Sequence, residues 1–211
     1  MSPDNDEMFR EVAGQILAEV TDCVSRVSAE SLAQAAAMVE AAPRIFVAGS
    51  GRSGLCIRAL GMRLMHLGKS VYIVGETTTP SITSKDLLIL GSGSGQSAVL
   101  LKMAEQAKQQ GARLLLFTAE SISPLSMLSD QLVIIPAPSL KPTPSLKPAQ
   151  PVGVGPSPKP AEAERILTSQ QPLGSLFEQS LLIVGDSLVI ILMDQIGVGV
   201  GKMRKHHANL E

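Results

Sequence analysis

Leu87-Leu88-Ile89-Leu90-Gly91-Ser92-Gly93-Ser94-Gly95-Gln96-Ser97 holds the key to this chain. A short apolar run ends in three glycines and three serines, and a helical pattern starts at Ala98. The run reads as a buried strand, and the rest as a tight turn into a helix N-terminus. Glycine lets the backbone approach a ligand closely, and the first N–H groups of a helix have no partners inside it. With the positive end of the helix dipole these make an anion site, to which Ser92, Ser94 and Ser97 add hydroxyl donors. The stretch predicts a phosphate cradle; the plainer reading is a Gly-rich turn capped by serine.

The same grammar recurs on both sides. Arg44 to Ala48 predicts a first strand, Gly49-Ser50-Gly51-Arg52-Ser53-Gly54 a second Gly/Ser loop, and Leu55 to Leu67 its helix. Ser70 to Val74 predicts the second strand, with Gly75-Glu76-Thr77 in the loop beyond it. After the opening stretch come a helix to about Gln110 with Gly111 as its C-cap, a strand over Arg113 to Thr118, a short helix over Pro124 to Ser129 and a strand over Leu132 to Ile135. Strands that alternate with helices and read as continuous apolar runs imply a parallel sheet covered on both faces. The expectation is an α/β fold: a three-layer α/β/α sandwich around a five-stranded parallel sheet, flavodoxin-like in character. A helical arm over Asp6 to Glu40 precedes it, with Ser28 as an internal cap, and a long apolar helix from Pro172 to about Ile196 follows.

At 211 residues the chain suits a single domain, taken here as 1–211. Pro136 to Pro160 contains nine prolines, a density that prevents helix and ladder pairing, so 136–162 is expected to be an extended insertion without chemistry. Net charge is −1, which leaves no electrostatic footprint for nucleic acid or a membrane surface. Cys23 and Cys56 are too few for a disulfide framework, and the acidic N-terminus is not a signal peptide, so a cytoplasmic setting is expected. The apolar run Leu181 to Met193 is interrupted by Asp186 and too short to span a bilayer.

Gly49 to Gly54 also fits the dinucleotide fingerprint, with Glu76 where a ribose-binding acid would stand. Against that reading stand the second loop of like chemistry, the hydroxyls of Ser50 and Ser53, and the lack of chain for a substrate domain. Two hydroxyl-rich loops at the C-terminal ends of parallel strands better suit a small phosphorylated ligand. His66 reads as a packing or capping residue or as a functional one. Glu178 reads as a solvated first-turn carboxylate or as a catalytic one. His206 and His207 lie in a basic tail. No Ser/His/Asp triad, metal-ligand cluster or Walker lysine is evident, so no metal is expected.

Val47 to Leu67, Gly75-Glu76-Thr77 and Gly91 to Ser97 resemble a sugar isomerase (SIS) domain. Pro172-Leu173-Gly174-Ser175-Leu176-Phe177-Glu178-Gln179, Met62-Arg63-Leu64-Met65-His66-Leu67-Gly68 and the ending His207-Ala208-Asn209-Leu210-Glu211 narrow the resemblance to the 6-phospho-3-hexuloisomerase family. That resemblance implies interconversion of D-arabino-hex-3-ulose 6-phosphate and fructose 6-phosphate in the ribulose monophosphate route of formaldehyde fixation. It implies no metal or organic cofactor, and a homo-oligomer with a tetramer favoured. It puts the phosphate on Ser92, Ser94, Gly95 and Ser97, with Ser50 and Ser53 assisting; Ser97 stands where relatives often have Thr.

Moving the carbonyl from C3 to C2 through a 2,3-enediol needs a base at carbon, for which Glu178 is the candidate. A second group must move protons between the oxygens, and His66 or His207 suits that role, His207 from a neighbouring subunit. Arg52 reads as a charge stabiliser or as a salt-bridge partner. The rival readings are an arabinose 5-phosphate isomerase-like enzyme and a non-catalytic phosphosugar sensor. The first usually carries a paired nucleotide-binding module, the second a helix-turn-helix ahead of the domain.

Overall fold

The structure is a computed structural model, and it describes residues 3–138, 169–207 and 209. From 139 onward the expected Pro-rich insertion lies outside the described residues. Helices α1 (Pro3–Ser25) and α2 (Ala29–Ala41) lead into β1 (Arg44–Gly49), α3 (Gly51–His66), β2 (Ser70–Ile73), β3 (Leu87–Gly91) and α4 (Ala98–Gln109). Then come β4 (Arg113–Thr118), α5 (Pro124–Leu128), β5 (Gln131–Ile134), α6 (Ser175–Gln195) and α7 (Val200–Lys205). All strand pairs are parallel, in the order β2-β1-β3-β4-β5. That is the expected five-stranded sheet with the flavodoxin-like strand order.

The central strands are apolar throughout, yet their side chains divide strictly by parity, as pleating demands. Ile45, Val47, Leu87, Ile89, Leu115 and Phe117 join the core under α1, α2, α3 and α6. Phe46, Ala48, Leu88, Leu90, Leu114 and Leu116 join the core under α4 and α5. Both faces are therefore dry, which is why these strands read as unbroken apolar runs. The order reverses between β1 and β3, whose outgoing helices α3 and α4 lie on opposite faces. A crevice opens at the carboxyl ends of these two strands.

Local signals act largely as expected. Ser28 caps α2, its hydroxyl accepting from the Ser31 N–H at 3.2 Å. Gly111, with φ +77, closes α4: its N–H donates to the Lys108 carbonyl, and the Ala112 N–H to the Ala107 carbonyl. At the amino ends of the inner strands, Asp86 ties three strands. Its carboxylate accepts from Arg44 (2.6 and 2.9 Å) and from the Thr83 N–H and hydroxyl, while its carbonyl accepts from the Arg113 N–H.

Two expectations need correcting. Helix α3 begins at Gly51, not Leu55, so Ser53 and Gly54 belong to its first turn. The reason is packing. A Cβ on Gly54 would stand 2.5 Å from the Gly49 carbonyl oxygen, so glycine here brings α3 against β1 instead of loosening a loop. The second concerns α6. At 21 residues it is long and apolar enough to cross a membrane by length and composition, but half of it is buried within the protein. Leu176, Phe177, Leu181, Val184, Leu188, Val189 and Leu192 fill the core on that face.

Candidate active site

The β1 and β3 loops each deliver a serine to the N-cap of the helix that follows: Ser50 to α3 and Ser97 to α4. Neither side chain makes a capping hydrogen bond, and the two hydroxyls lie 3.5 Å apart. Two helix N-termini, each with unpaired N–H groups and a positive dipole end, thus converge on one point with their hydroxyls uncommitted. An anion is the ligand this geometry suits.

The β3 loop is held rigidly beneath that point. Ser92 is buried, its N–H donating to the Phe117 carbonyl and its carbonyl accepting from Gly95. Ser94 Oγ accepts from the Gln96 N–H at 3.3 Å. Gly95 has φ +60, and a Cβ there would collide with Ser123, so no other residue fits the turn without strain. Thr118 Oγ1 adds a hydrogen bond to the Gly93 carbonyl at 3.2 Å. Ser53 is half-buried in the first turn of α3.

The first turn of α6 closes the crevice. A Cβ on Gly93 would meet the Phe177 ring at 3.2 Å, so this glycine lets α6 lie directly on the β3 loop, while one on Gly91 would collide with Ile57 of α3 and then meet Leu181 at 3.3 Å. Glu178 follows Phe177, its side chain 15% exposed, and its Oε2 receives a 2.7 Å ion pair from Arg52 Nε. Arg52 itself is 61% exposed, a solvated cation over a carboxylate that is only 15% exposed. Cys56, one turn beyond Arg52 on α3, donates through Sγ to the Glu178 carbonyl at 3.2 Å. Burial, and then the Glu178 charge, push the Cys56 thiol up from its ordinary range, so it stays protonated at neutral pH. The structure thus brings together Ser50, Arg52, Ser53, Ser92, Ser94, Gly95, Ser97 and Glu178.

The histidines lie elsewhere. Helices α3 and α6 run side by side in the same direction, with Cys56 at Glu178, Leu60 at Gly185 and His66 beyond. His66 is ten residues past Cys56, about 15 Å along the helix at 1.5 Å per residue. There it stacks on His207, ring centroids 5.2 Å apart, and its carbonyl accepts from His206 Nδ1 at 2.9 Å. The two rings line a cavity of about 390 Å³ with Arg63, Asp186, Met193 and Arg204 among its other walls. Burial first, then the neighbouring His207 and Arg63, hold the His66 imidazole below its ordinary pKa and hence neutral. Among the described residues, no three His, Cys, Asp or Glu side chains gather as a metal site.

Sequence reasoning did not find Cys56 or the support from Thr118 and Ser123. Cys56 was discoverable, since it stands four residues after Arg52 and so shares its helix face. The other two come from a strand and a loop remote in sequence, and no local pattern announces them.

A rigid Ser/Gly cradle at a topological switch point, facing a nearly buried carboxylate, defines a class of phosphate-handling α/β domains. Residues 38–147 match the SIS domain family. A 3-hexulose-6-phosphate isomerase from Mycobacterium gastri is 42% identical over 92% of this chain and 86% of its own. One from Bacillus subtilis is 34% identical over 95% and 98%. Among solved structures, a hypothetical protein from Methanococcus jannaschii with an inferred molecular function of 3-hexulose-6-phosphate isomerase superposes with a TM-score of 0.75. It is 27% identical, and the match covers 95% of this chain and 99% of that one. The chain belongs to the SIS domain family and groups, within it, with the 3-hexulose-6-phosphate isomerases.

Proposed function

We propose that this isomerase interconverts D-arabino-hex-3-ulose 6-phosphate and fructose 6-phosphate, with the phosphate on the paired helix N-termini and Glu178 as the base. The observation that carries the reading is the Glu178 carboxylate, nearly buried yet ion-paired to Arg52, on a turn packed against the cradle.

The substrate's phosphate binds to Ser50, Ser53, Ser92, Ser94, Gly95 and Ser97, through hydroxyls and first-turn N–H groups. Glu178 removes the proton from C2 of the 3-ketose, a 2,3-enediol forms, and the same carboxylate returns the proton to C3 on the same face. Arg52 shifts from the carboxylate toward the negative charge that develops on the enediol oxygens, so the base is released as the charge appears. In the reverse direction fructose 6-phosphate must first open its ring, which calls for an acid at O5.

A histidine supplies the oxygen-bound proton transfers. Within one chain His66 and His207 are a helix length from Glu178, so the exposed His207 acts in the crevice of a neighbouring copy, with the buried His66 stacked behind it. Apolar residues left exposed on the same helices, Met62 and Met65 on α3 and Leu182, Ile183 and Ile190 on α6, support burial of that face against a second copy. A homotetramer, a cytoplasmic setting and a role in the ribulose monophosphate route of formaldehyde fixation belong to the same reading.

The direct test is to incubate purified protein with fructose 6-phosphate and chelator and follow the sugar carbons by NMR. Growth of the 3-ketose, with arabinose 5-phosphate left unchanged in a parallel sample, is expected. Conversion of arabinose 5-phosphate instead would make it an aldose–ketose isomerase, and saturable binding without conversion a sensor.

A further inference from the structure

The N-terminal helix carries a carboxylate that the chemistry above does not use. Glu19, on α1, receives four hydrogen bonds. Ser169 Oγ (2.6 Å) and Gln171 Nε2 (2.9 Å) donate to Oε2, while the Gln170 N–H (3.3 Å) and Gln15 Nε2 (3.4 Å) donate to Oε1. Three of these donors lie 150 to 152 residues away in sequence. The Ser169 hydroxyl also accepts from the Gln171 N–H at 3.1 Å, closing the knot. The Ser169 hydrogen bond is foremost in holding the Glu19 carboxyl below its ordinary range; partial burial opposes it, and the Gln171, Gln170 and Gln15 contacts assist. At neutral pH the clasp is therefore fully ionised, with its charge-assisted bonds at full strength.

What the clasp holds is the entry to α6. Immediately after Gln171 come Pro172, whose carbonyl accepts from the Ser175 hydroxyl at 2.8 Å, and Leu173, with φ +56. Leu173 is the one non-glycine residue in the left-handed region among the described residues, and its side chain is exposed, so no packing of its own keeps it there. Such a conformation costs about 1–3 kcal/mol and persists only where the surroundings impose it. Gly174 then caps α6 without a side-chain hydrogen bond, and its carbonyl accepts from the Glu178 N–H at 3.0 Å. The strained turn therefore has Glu19 as its anchor upstream and the first turn of α6, with Glu178, downstream.

We propose that Glu19 is a positioning residue for Glu178: by clasping Ser169–Gln171 it fixes the strained entry turn and thereby the placement of the base. This rests on the reading of Glu178 as the base. Glu19 contacts neither substrate nor the reacting atoms, and its hydrogen bonds go to none of the cradle residues.

The test uses Glu19→Gln and, separately, Ser169→Ala, with steady-state kinetics and hydrogen–deuterium exchange on the full chain. For Glu19→Gln, kcat is expected to fall by about 10–100-fold, as a base displaced by a fraction of an ångström to an ångström would cause, with KM within about threefold. Amide protection should drop across 170–178 and stay unchanged along α4, 98–109. Ser169→Ala should move both readouts in the same direction by less. An unchanged kcat, a rise in KM alone, or protection lost uniformly over the chain would overturn the proposal. Glu178→Gln run alongside separates the two claims. If that variant keeps full turnover, the base assignment fails, whereas the exchange pattern at 170–178 still reports whether Glu19 holds the turn.

Discussion

At the residue scale the site rests on which side chains are spent on structure and which are left over. Ser50 and Ser97 occupy N-cap positions but do not cap, and Glu178 is nearly buried with an exposed arginine as ion-pair partner. Replacing Glu178 with Gln preserves shape and removes the base, so kcat should drop by about 10²–10⁴-fold with KM for the phosphosugar little changed. Retained turnover would move the base elsewhere. Arg52→Ala should leave the melting temperature nearly untouched, because an exposed ion pair contributes about 0–1 kcal/mol. Its kcat should nevertheless fall by at least about tenfold, since the enediol loses its counter-charge. The Gly/Ser loops were legible because their chemistry is a local pattern, whereas the local pattern around Glu178 left a solvated and a catalytic carboxylate equally open, and only the family resemblance singled it out. The pairing of Arg52 with Glu178 was left open, since it joins helices that are 126 positions apart by residue number.

At the scale of elements, strand order and helix placement followed from apolar runs and Gly/Ser punctuation, and the sheet has the expected strands. The start of α3 was misread because a glycine-rich segment has low helix propensity and looks like loop. Tertiary packing overrides that propensity, as Gly54 against Gly49 shows. Gly54→Ala should therefore destabilise the fold by about 1–3 kcal/mol, measured by urea unfolding, although alanine is the better helix former. A stabilised variant would mean that α3 tolerates displacement from β1. The clasp of Glu19 on Ser169–Gln171 was invisible for a different reason: its donors surround the return of a long proline-rich stretch, where periodicity carries no information.

At the scale of the whole molecule, Asp86 and His66 join Glu19 in setting the acid limit of stability, all with the same sign. Burial disfavours the Asp86 charge, but hydrogen bonds from Arg44 and Thr83 outweigh it and hold this carboxyl below its usual range. His66 is likewise held below its ordinary value, mainly by burial. Both groups bind protons more readily in the unfolded chain, so folding is most favoured above the ordinary histidine range near pH 6.5. The His66 contribution is lost as pH falls below that range, and the Asp86 contribution as pH falls below the ordinary carboxylate range. The melting temperature should thus decline in two stages on acidification, and Asp86→Asn should shrink the second, to which Glu19 also contributes, while costing about 3 kcal/mol at pH 7. Within one chain His66 and His207 stand apart from Glu178, so a part for them in the proposed reaction requires a second copy. Mixing inactive Glu178→Gln and His207→Ala subunits, with exchange by mild denaturation, should restore part of the activity, and failure to complement would keep the histidines out of the reaction.

The most direct measurement is proton exchange at carbon. Fructose 6-phosphate incubated with the protein in deuterium oxide, with chelator present, should gain deuterium at C3 as the 3-ketose grows in. That outcome follows from a 2,3-enediol with one base serving both carbons. Deuterium at C1 would instead reveal a 1,2-enediol, and saturable binding with neither exchange nor 3-ketose formed would contradict catalysis altogether.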